Sequence, residues 1–297
     1  MSEQTSTAAA VKKELLSRLG QDSELYVLIS LCTREPYVVC DPETYDDQIY
    51  MFFTEEEAKA EAKKLAGEQI PVAVTRLNGK NMLLFFTGLY TMGANALVLT
   101  QGEERVTMQL EDVVKRRAKE DMPEGSVWVE NPAFHLTAIY FAQTLRSPAK
   151  EDSGQRLKEL NEEMAAHFKK GTFIFALHKE EKGVPLVRRN DGKLYQPAFT
   201  DILEFQRFNK EDKLRPVVVE AGNLPKVLPK EAEGLILNIM GVNIPLTVSR
   251  PAPQPGEAVS QEAPDQAADA KDREASEPEQ NPEPETGSEE MQVGSDE

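Results

Sequence analysis

The feature that most constrains the fold is the irregular way in which short strand patterns and single helix patterns follow one another. Apolar stretches typical of strands are separated in some places by a helical stripe and in others only by a turn. A doubly wound parallel sheet needs a crossover, usually a helix, between consecutive strands, so strand pairs joined by turns argue against it. The sequence therefore predicts an α+β fold with small mixed or antiparallel sheets and packed helices.

Helix starts are marked most clearly at Thr54 and at Asn131-Pro132. Glu57 follows Thr54 by three residues, which is the spacing of a capping box, and a helix is predicted from there to about Ala66, with Gly67 ending it. The second signal combines an N-cap residue with a proline at the first helical position. A further helix is predicted over 156–170, and its apolar stripe is expected to dock on the second of two modules. That stripe consists of Leu157, Leu160, Met164 and Phe168.

The dipeptide Asn78-Gly79 is a strong signal for a β-hairpin. It predicts that the strands Ile70–Leu77 and Asn81–Phe86 pair, and that Thr87 caps a short helix after them. Three further predictions are a helix over Leu110–Lys119, a strand over Val127–Val129 and Thr200 as the N-cap of a helix.

Three segments share one pattern, in which a turn and a strand lead to Phe-Thr and then to a helix. They are Tyr45–Glu57, Asn78–Tyr90 and Asn190–Phe205, and the second and third align best because no gap is needed between them. The repeat predicts two related modules that arose by duplication, with the first one enlarged.

Composition divides the chain further. Residues 251–297 contain 14 acidic residues, two basic residues and seven prolines, with few large apolar side chains. Such a segment cannot bury enough surface to offset its ordering entropy, so a disordered acidic tail is predicted. The predicted organisation is an N-terminal helix (1–21), a first α+β module (22–147), a helical linker (148–171), a second α+β module (172–250) and the tail.

The charge excludes some classes of protein. The net charge is −17, and the tail alone carries −12 (14 acids, two bases), which leaves −5 for the other 250 residues. A nucleic-acid-binding protein normally shows a basic face, so nucleic acid is not an expected partner. No uninterrupted apolar run is longer than five residues, the length of Met82–Phe86. A membrane-spanning helix needs about 20 apolar residues, so no membrane insertion is expected.

The cysteines and the N-terminus favour the cytoplasm. Cys32 and Cys40 lie near opposite ends of a predicted hairpin strand, too far apart for a disulfide, and two free thiols are expected. The N-terminus has no basic stretch followed by an apolar one, so no secretory signal is recognisable. The three histidines show no metal-ligand spacing, and each is expected to be isolated.

Several apolar and turn motifs resemble a bacterial family. In the second module they are Phe173–Leu177, Ala198–Asp201 and Glu233–Asn238, and in the first they are Phe86–Ala96, Gln109–Arg116 and Glu130–Phe141. The second module resembles the SseB N-terminal domain, and the whole resembles the longer, two-module SseB-family proteins. The family usually continues Asn-Pro-Gly where this chain has Asn238-Ile239-Met240-Gly241. The resemblance implies the family fold and a bacterial cytosolic setting, and it carries no catalytic residues.

Candidate ligand or partner residues lie at or near the ends of predicted strands. They are Phe86, Thr87, Asn95, Asn131, Phe199, Thr200 and Asn238. Amides at such positions either line a pocket or bond to the local backbone, and both readings stay open. The aromatic residues of the helix after Phe199 are expected to pack in the core rather than to form a docking patch.

The functional hypothesis is a non-enzymatic binding or regulatory protein that recognises a protein partner or a small regulator. No phosphate-binding loop, nucleophile elbow or metal motif is present in the sequence, and no cofactor, metal ion or catalytic residue is predicted. The alternative is a sensor of amino-acid-type small molecules or a cryptic enzyme, with its pocket near Phe86–Asn95 or Phe199–Asn238. The sequence leaves the oligomeric state open.

Overall fold

Two six-stranded mixed sheets, joined by helices, form the part of the chain that the computed structural model describes. The described residues are 13–17, 19, 24–102, 104–116, 127–147, 153–180 and 183–248. The predicted tail and most of the predicted N-terminal helix lie outside them. The architecture confirms the predicted α+β class.

The first sheet has the order β4-β1-β3-β5-β6, and β2 pairs with β3 beside this path. Its strands are β1 (Leu25–Ser30), β2 (Val38–Cys40), β3 (Asp47–Phe52), β4 (Val72–Leu77), β5 (Ala96–Gln101) and β6 (Glu104–Gln109). The pair β3–β5 is parallel, and every other pair is antiparallel.

The second sheet repeats this topology strand for strand. Its strands are β7 (Thr172–His178), β8 (Val187–Arg188), β9 (Leu194–Phe199), β10 (Leu214–Glu220), β11 (Ala232–Leu237) and β12 (Ile244–Thr247). The order is β10-β7-β9-β11-β12, with β8 on β9 and with β9–β11 as the parallel pair. The identical order and direction of the strands support the predicted duplication.

The helices lie between and after the strands. They are α1 (13–17 and 19), α2 (Glu55–Gly67), α3 (Gly79–Met92), α4 (Leu110–Val113), α5 (Pro132–Arg146), α6 (Ser153–Lys170), α7 (Ile202–Phe208) and α8 (Leu224–Val227), with a 3-10 turn at Ala221–Asn223. The equivalent helices α2 and α7 each follow the third strand of their own sheet. The first repeat is enlarged, since α3 stands where the second has only the 3-10 turn and α8.

The structure corrects the alignment of the repeats. Phe53-Thr54 and Phe199-Thr200 both follow the third strand of a sheet, so Tyr45–Glu57 is the true equivalent of Asn190–Phe205. The segment Asn78–Tyr90, which aligned best in sequence, lies mainly in α3. The gap-free match therefore arose from local turn and capping chemistry and not from equivalent positions in the fold.

The hairpin predicted at Asn78-Gly79 is wrong, because this dipeptide begins α3 instead. Met82, Phe86 and Leu89 are buried at helical spacing. The apolar run Met82–Phe86 therefore belongs to a buried helix face that continues to Leu89. Thr87 lies inside the helix, and its hydroxyl donates to the Leu83 carbonyl at 2.8 Å. Gly93 ends the helix with a φ of 92°.

Three smaller predictions also differ from the structure. The helix that begins at Leu110 ends at Val113, and residues 127–129 form no strand. The N-cap of α7 is Asp201 rather than Thr200, because Asp201 Oδ1 accepts hydrogen bonds from Leu203 N at 2.9 Å and Glu204 N at 3.1 Å.

Both sheets contribute to one hydrophobic core, and α5 lies at the junction. Phe134 of α5 contacts Phe173 of β7, with ring centroids 5.4 Å apart, and Phe168 of α6 at 5.9 Å. The stripe of α6 buries Leu160 and Met164. Helix α6 packs mainly on α5, and its Phe168 contacts Phe173 of the second sheet, with ring centroids 5.1 Å apart.

Candidate functional site

Three of the predicted site residues, Asn131, Thr200 and Asn238, meet where α5 crosses the second sheet. Asn131, just before α5, donates from Nδ2 to the carbonyls of Thr172 and Thr200, both at 2.8 Å. Thr200 follows β9 and Asn238 follows the parallel neighbour β11. The ends of two parallel strands and the start of one helix are therefore fixed to one another by side-chain hydrogen bonds.

Asn238 is the centre of a buried hydrogen-bond network. Its Oδ1 accepts from Thr200 N at 3.0 Å, and its Nδ2 donates to Thr200 Oγ1 at 2.9 Å and approaches His135 Nε2 at 3.2 Å. Its backbone has a φ of 41°, in the left-handed region that asparagine tolerates better than most residues. Asn238, Thr200 and His135 are all at most 2% exposed.

The network assigns one tautomer to His135. Thr200 Oγ1 donates its single hydrogen to Asp201 Oδ2 at 2.7 Å, so it accepts from His135 Nδ1 at 3.2 Å. The other ring nitrogen, Nε2, then accepts from Asn238. With the hydrogen on Nδ1, every donor in the group has an acceptor, which is the condition for a stable buried polar network.

The grouping of a hydroxyl, a histidine and a carboxylate invites comparison with a catalytic triad, but its geometry is different. Thr200 and Asp201 have no exposed surface, and the Thr200 hydroxyl points its hydrogen at the carboxylate and not at the histidine. A nucleophile must donate to its base and reach a substrate. This network holds α5, β9 and α7 together, and it does not place a reactive oxygen at a surface.

A pair of buried glutamates lies beside this network. Arg207 Nη1 donates to Glu35 Oε1 and to Glu204 Oε1, each at 2.5 Å. Glu35 belongs to the loop between β1 and β2, whereas Glu204 and Arg207 belong to α7. The hydrogen bonds of Arg207 therefore join a loop of the first sheet to the helix that follows β9 of the second. Burial, assisted by the charge of Glu204, raises the pKa of Glu35 to about 8.

Gly241 closes over the two carboxyl groups. A Cβ at this position would lie 3.2 Å from Glu204 Oε2 and would collide with Glu35 Oε1. A side chain at this position would therefore force the Glu35 carboxyl group away from Arg207, to which it is hydrogen-bonded. The second carboxyl oxygen of Glu204, Oε2, is buried and has no hydrogen-bond partner.

An apolar cleft of about 470 Å³ opens above this pair, between α3 and α7. Its walls include Leu84, Phe85 and Gly88 of α3 and Leu203 of α7, and Glu35, His135, Glu204 and Arg207 also line it. Leu84 leaves 59% of its surface exposed. The volume lies within the range of about 300–1,000 Å³ that small-ligand sites occupy.

The other predicted site residues have different surroundings. Phe86 and Phe199 are buried in the core, and Thr87 bonds to its own helix. Asn95 accepts from Asp47 N at 2.7 Å and donates to Asp46 Oδ1 at 2.7 Å, so it joins the start of β5 to the start of β3. Phe205 packs on Phe199 in the core, as expected for the α7 aromatics.

Sequence reasoning missed His135, Asp201 and the glutamate pair. His135 was expected to be isolated, and its position four residues after Asn131 on the same helix is the one signal that could have linked it to that asparagine. Nothing in the loop sequence around Glu35 marks it as buried. Its partners, Glu204 and Arg207, are about 170 residues away in the chain, so only the tertiary fold brings them together.

Cys32 is buried, Cys40 is exposed, and both are free thiols. Within the described ranges, no three His, Cys, Asp or Glu side chains are grouped so that they could hold a metal ion. None of the helices among these residues has the length and apolar character needed to cross a membrane.

The fold and the site define an α+β protein with two sheets of identical topology and an apolar cleft over a buried carboxyl pair. No family model matches the chain, and no curated protein matches it. Among solved structures it resembles Anabaena Tic22 (protein transport) at 11% identity and a TM-score of 0.20, over 75% of this chain and 91% of that chain. A TM-score this low carries no argument about fold or function. The SseB resemblance rests on its motifs and stays a prediction.

Proposed function

We propose that the protein is a non-enzymatic binding protein of the two-module SseB type, acting in the cytoplasm. Its cleft binds a ligand with an apolar body and a positively charged end, supplied by an apolar segment of a partner protein that carries a lysine. The observation that carries the proposal is Glu204 Oε2, a buried acceptor that has no hydrogen-bond partner and belongs to a residue lining the apolar cleft.

The apolar part of the proposal rests on α3. Leu84 and Phe85 line the cleft, and Leu84 leaves 59% of its surface exposed. Burying an apolar side chain of this size contributes about 1.5–3 kcal/mol, so an exposed leucine at a cleft mouth favours an apolar occupant. An apolar ligand chain lying along α3 would cover it.

The charged part rests on the floor of the cleft. Glu35 and Glu204 supply two carboxyl groups against the single guanidinium of Arg207. With its pKa raised to about 8, Glu35 keeps its proton near neutral pH, so a second cation would displace that proton and donate to the unpartnered oxygen of Glu204. The cation would thus be selected by Glu204, whereas the apolar wall would supply most of the affinity.

Isothermal titration with n-octylamine, n-octanol and the peptide acetyl-Leu-Lys-Leu-Leu-amide tests the proposal. Octylamine is expected to bind about tenfold more tightly than octanol, since the two differ only in the end group. Tighter binding of the peptide than of octylamine supports a protein partner, and the reverse order supports the alternative of a small-molecule sensor. Failure of all three to bind would overturn the proposal.

Two leucines of α3 provide a matched pair of variants. Leu84 lines the cleft and Leu83 does not, although they are 59% and 63% exposed. Leu84→Ala is expected to weaken octylamine binding about tenfold, and Leu83→Ala is expected to leave it unchanged. Glu204→Gln should remove the preference for octylamine over octanol. Equal effects of the two leucine variants would show that the ligand binds elsewhere.

A further inference from the structure

A second cavity, of about 420 Å³, lies on the second sheet away from the cleft. It is bounded by the turn between β8 and β9 and by the turn between β11 and β12. Both polar and apolar side chains line it, among them Arg188, Arg189, Asn190, Asn243, Ile236 and Ile239. It differs from the apolar cleft in having arginines rather than glutamates in its wall.

Arg189 is incompletely satisfied. Its guanidinium lies over the Tyr195 ring, 5.9 Å from the centroid, and its Nη1 is buried with no hydrogen-bond partner. Asn243, across the cavity, likewise has a buried Oδ1 without a partner. Oxygen and nitrogen of a side-chain amide are exchanged by a flip, so this amide can present a donor to the same space. Buried polar atoms without hydrogen-bond partners are rare in folded proteins, and here two of them belong to residues that line one cavity.

Other arginines surround this wall. Arg146, at the end of α5, donates from Nη2 to Asn243 O at 2.9 Å and from Nη1 to Cys32 O at 2.6 Å. Burial lowers the pKa of Arg146, and the nearby positive charges of Arg189 and Arg34 lower it further. These guanidinium groups therefore repel one another in the folded chain.

The positive charge of this cluster is not compensated within the described residues. Among them, Arg34, Arg146, Arg188 and Arg189 form no ion pair with a carboxylate. Asp191 is the one acidic residue in the cavity wall, and its Oδ1 accepts from Lys193 N at 3.0 Å. In a chain with a net charge of −17, a local excess of arginine is a specific feature.

We propose that this cavity binds a phosphate group, with Arg189 and the Asn243 amide as its direct contacts and with Arg146 and Arg34 as charges behind them. The planar guanidinium offers paired donors that match a phosphate, and the pairing would satisfy the orphan nitrogen of Arg189. The cavity has room for more than one phosphate group, so a phosphomonoester such as glycerol 3-phosphate fits better than free phosphate. This site is separate from the proposed cleft.

Titration of the full chain with glycerol 3-phosphate, inorganic phosphate and succinate tests the proposal, at constant ionic strength set with chloride. Glycerol 3-phosphate is expected to bind, and inorganic phosphate to bind more weakly. Equal or tighter binding of inorganic phosphate would assign the site to the free ion, which overturns the monoester but supports the phosphate contact. Tighter binding of succinate, or no binding of any anion above chloride, would overturn the proposal.

Arg189→Gln is expected to weaken glycerol 3-phosphate binding at least about tenfold, because it removes the charge and the fork of donors. The matched control is Arg76→Gln, which removes an exposed arginine that pairs with Glu24 in the first sheet. Asn243→Gly is a second variant, since Asn243 has a φ of 50° that glycine tolerates. Unchanged affinity in both variants would overturn the proposal. Arg189→Gln and Asn243→Gly should both leave octylamine binding unchanged, which would show that this site is separate from the cleft.

Discussion

Asn238 holds Thr200 through two hydrogen bonds, one to its backbone amide at 3.0 Å and one to its hydroxyl at 2.9 Å. The two residues lie 38 positions apart, at the ends of the parallel neighbours β11 and β9. Both have no exposed surface, so water cannot replace either bond. The pair therefore fixes the strand ends from which α7 and its acidic side chains begin.

Replacing Asn238 should be costly for stability. Asn238→Gly keeps the left-handed backbone but leaves Thr200 N without its acceptor, and each buried unsatisfied group costs about 1–3 kcal/mol. We expect the free energy of unfolding, measured by urea denaturation, to fall by about 2–4 kcal/mol. Asn78→Gly is the matched control, because Asn78 makes no side-chain capping bond and glycine is a fair N-cap. A similar loss in both variants would contradict the assigned network.

A side chain at Gly241 should destabilise the protein by displacing the Glu35 carboxyl group from Arg207. In Gly241→Ala the new Cβ would collide with Glu35 Oε1, and overpacking of this kind costs about 1–3 kcal/mol. Gly222→Ala is the control, since nothing lies within 4 Å of a Cβ there. Both are measured by thermal and urea unfolding.

A double-mutant cycle checks the cause of this loss. Combining Gly241→Ala with Glu35→Ala should cost less than the sum of the two single changes, because the clashing oxygen is absent. Strictly additive losses would place the strain of the alanine elsewhere.

The raised pKa of Glu35 makes stability depend on pH. Its ordinary value is 4.5 and its value in the folded chain is about 8, so the folded chain holds the proton more tightly than the unfolded chain. The stabilisation from this group is complete below pH about 4.5 and is lost as the pH rises towards about 8. We expect the wild-type protein to lose more unfolding free energy than Glu35→Gln over that window.

Urea denaturation at several values between about pH 5 and about pH 8 measures this difference. The exposed Glu43 supplies the control, and Glu43→Gln should keep the wild-type pH dependence. If Glu35→Gln lost stability with pH as steeply as the wild-type protein, another group would be responsible.

Two of the three threonines predicted to cap helices, Thr54 and Thr87, should differ in their contribution to stability. Thr54 forms a complete capping box with Glu57, and Thr54→Ala should cost about 1 kcal/mol. Thr87 was predicted to cap a helix but lies within α3, so Thr87→Ala should change stability by less than about 0.5 kcal/mol. Chemical denaturation measures the loss of unfolding free energy in each variant. An equal loss in both would indicate that Thr87 also acts as a helix cap.

Features that depend on neighbouring residues were accessible from the sequence. The capping box at Thr54, the start of α5 after Asn131 and most strands of both sheets follow from local spacing and turn chemistry. The error at Asn78 shows the limit of this reasoning. A hairpin signal and a helix start use the same residues, and only the burial of Leu89 on the far side of the apolar run decides for the helix.

The candidate site was accessible only in part. Asn131, Thr200 and Asn238 were recognised as amides and hydroxyls at element ends, which is where parallel neighbours bring side chains together. Some of their hydrogen bonds go to backbone groups, as the alternative interpretation predicted. These backbone partners, like the side-chain partners of Asn238, lie in or next to other helices and strands. His135 was not connected with them, because its position in the α5 sequence does not show which residues of the second sheet it contacts.

The sequence by itself determined the α+β class and the repeat of a strand, Phe-Thr and a helix, because periodicity and capping are local properties. The tertiary structure alone decided that Glu35 is buried against Glu204 and Arg207, and that Arg189 and Arg146 surround one cavity. Burial and charge depend on what packs nearby in space, and these partners are far apart in the chain. The proposed cleft therefore lies between helices of the two repeats, and the proposed phosphate cavity lies between two turns of the second sheet.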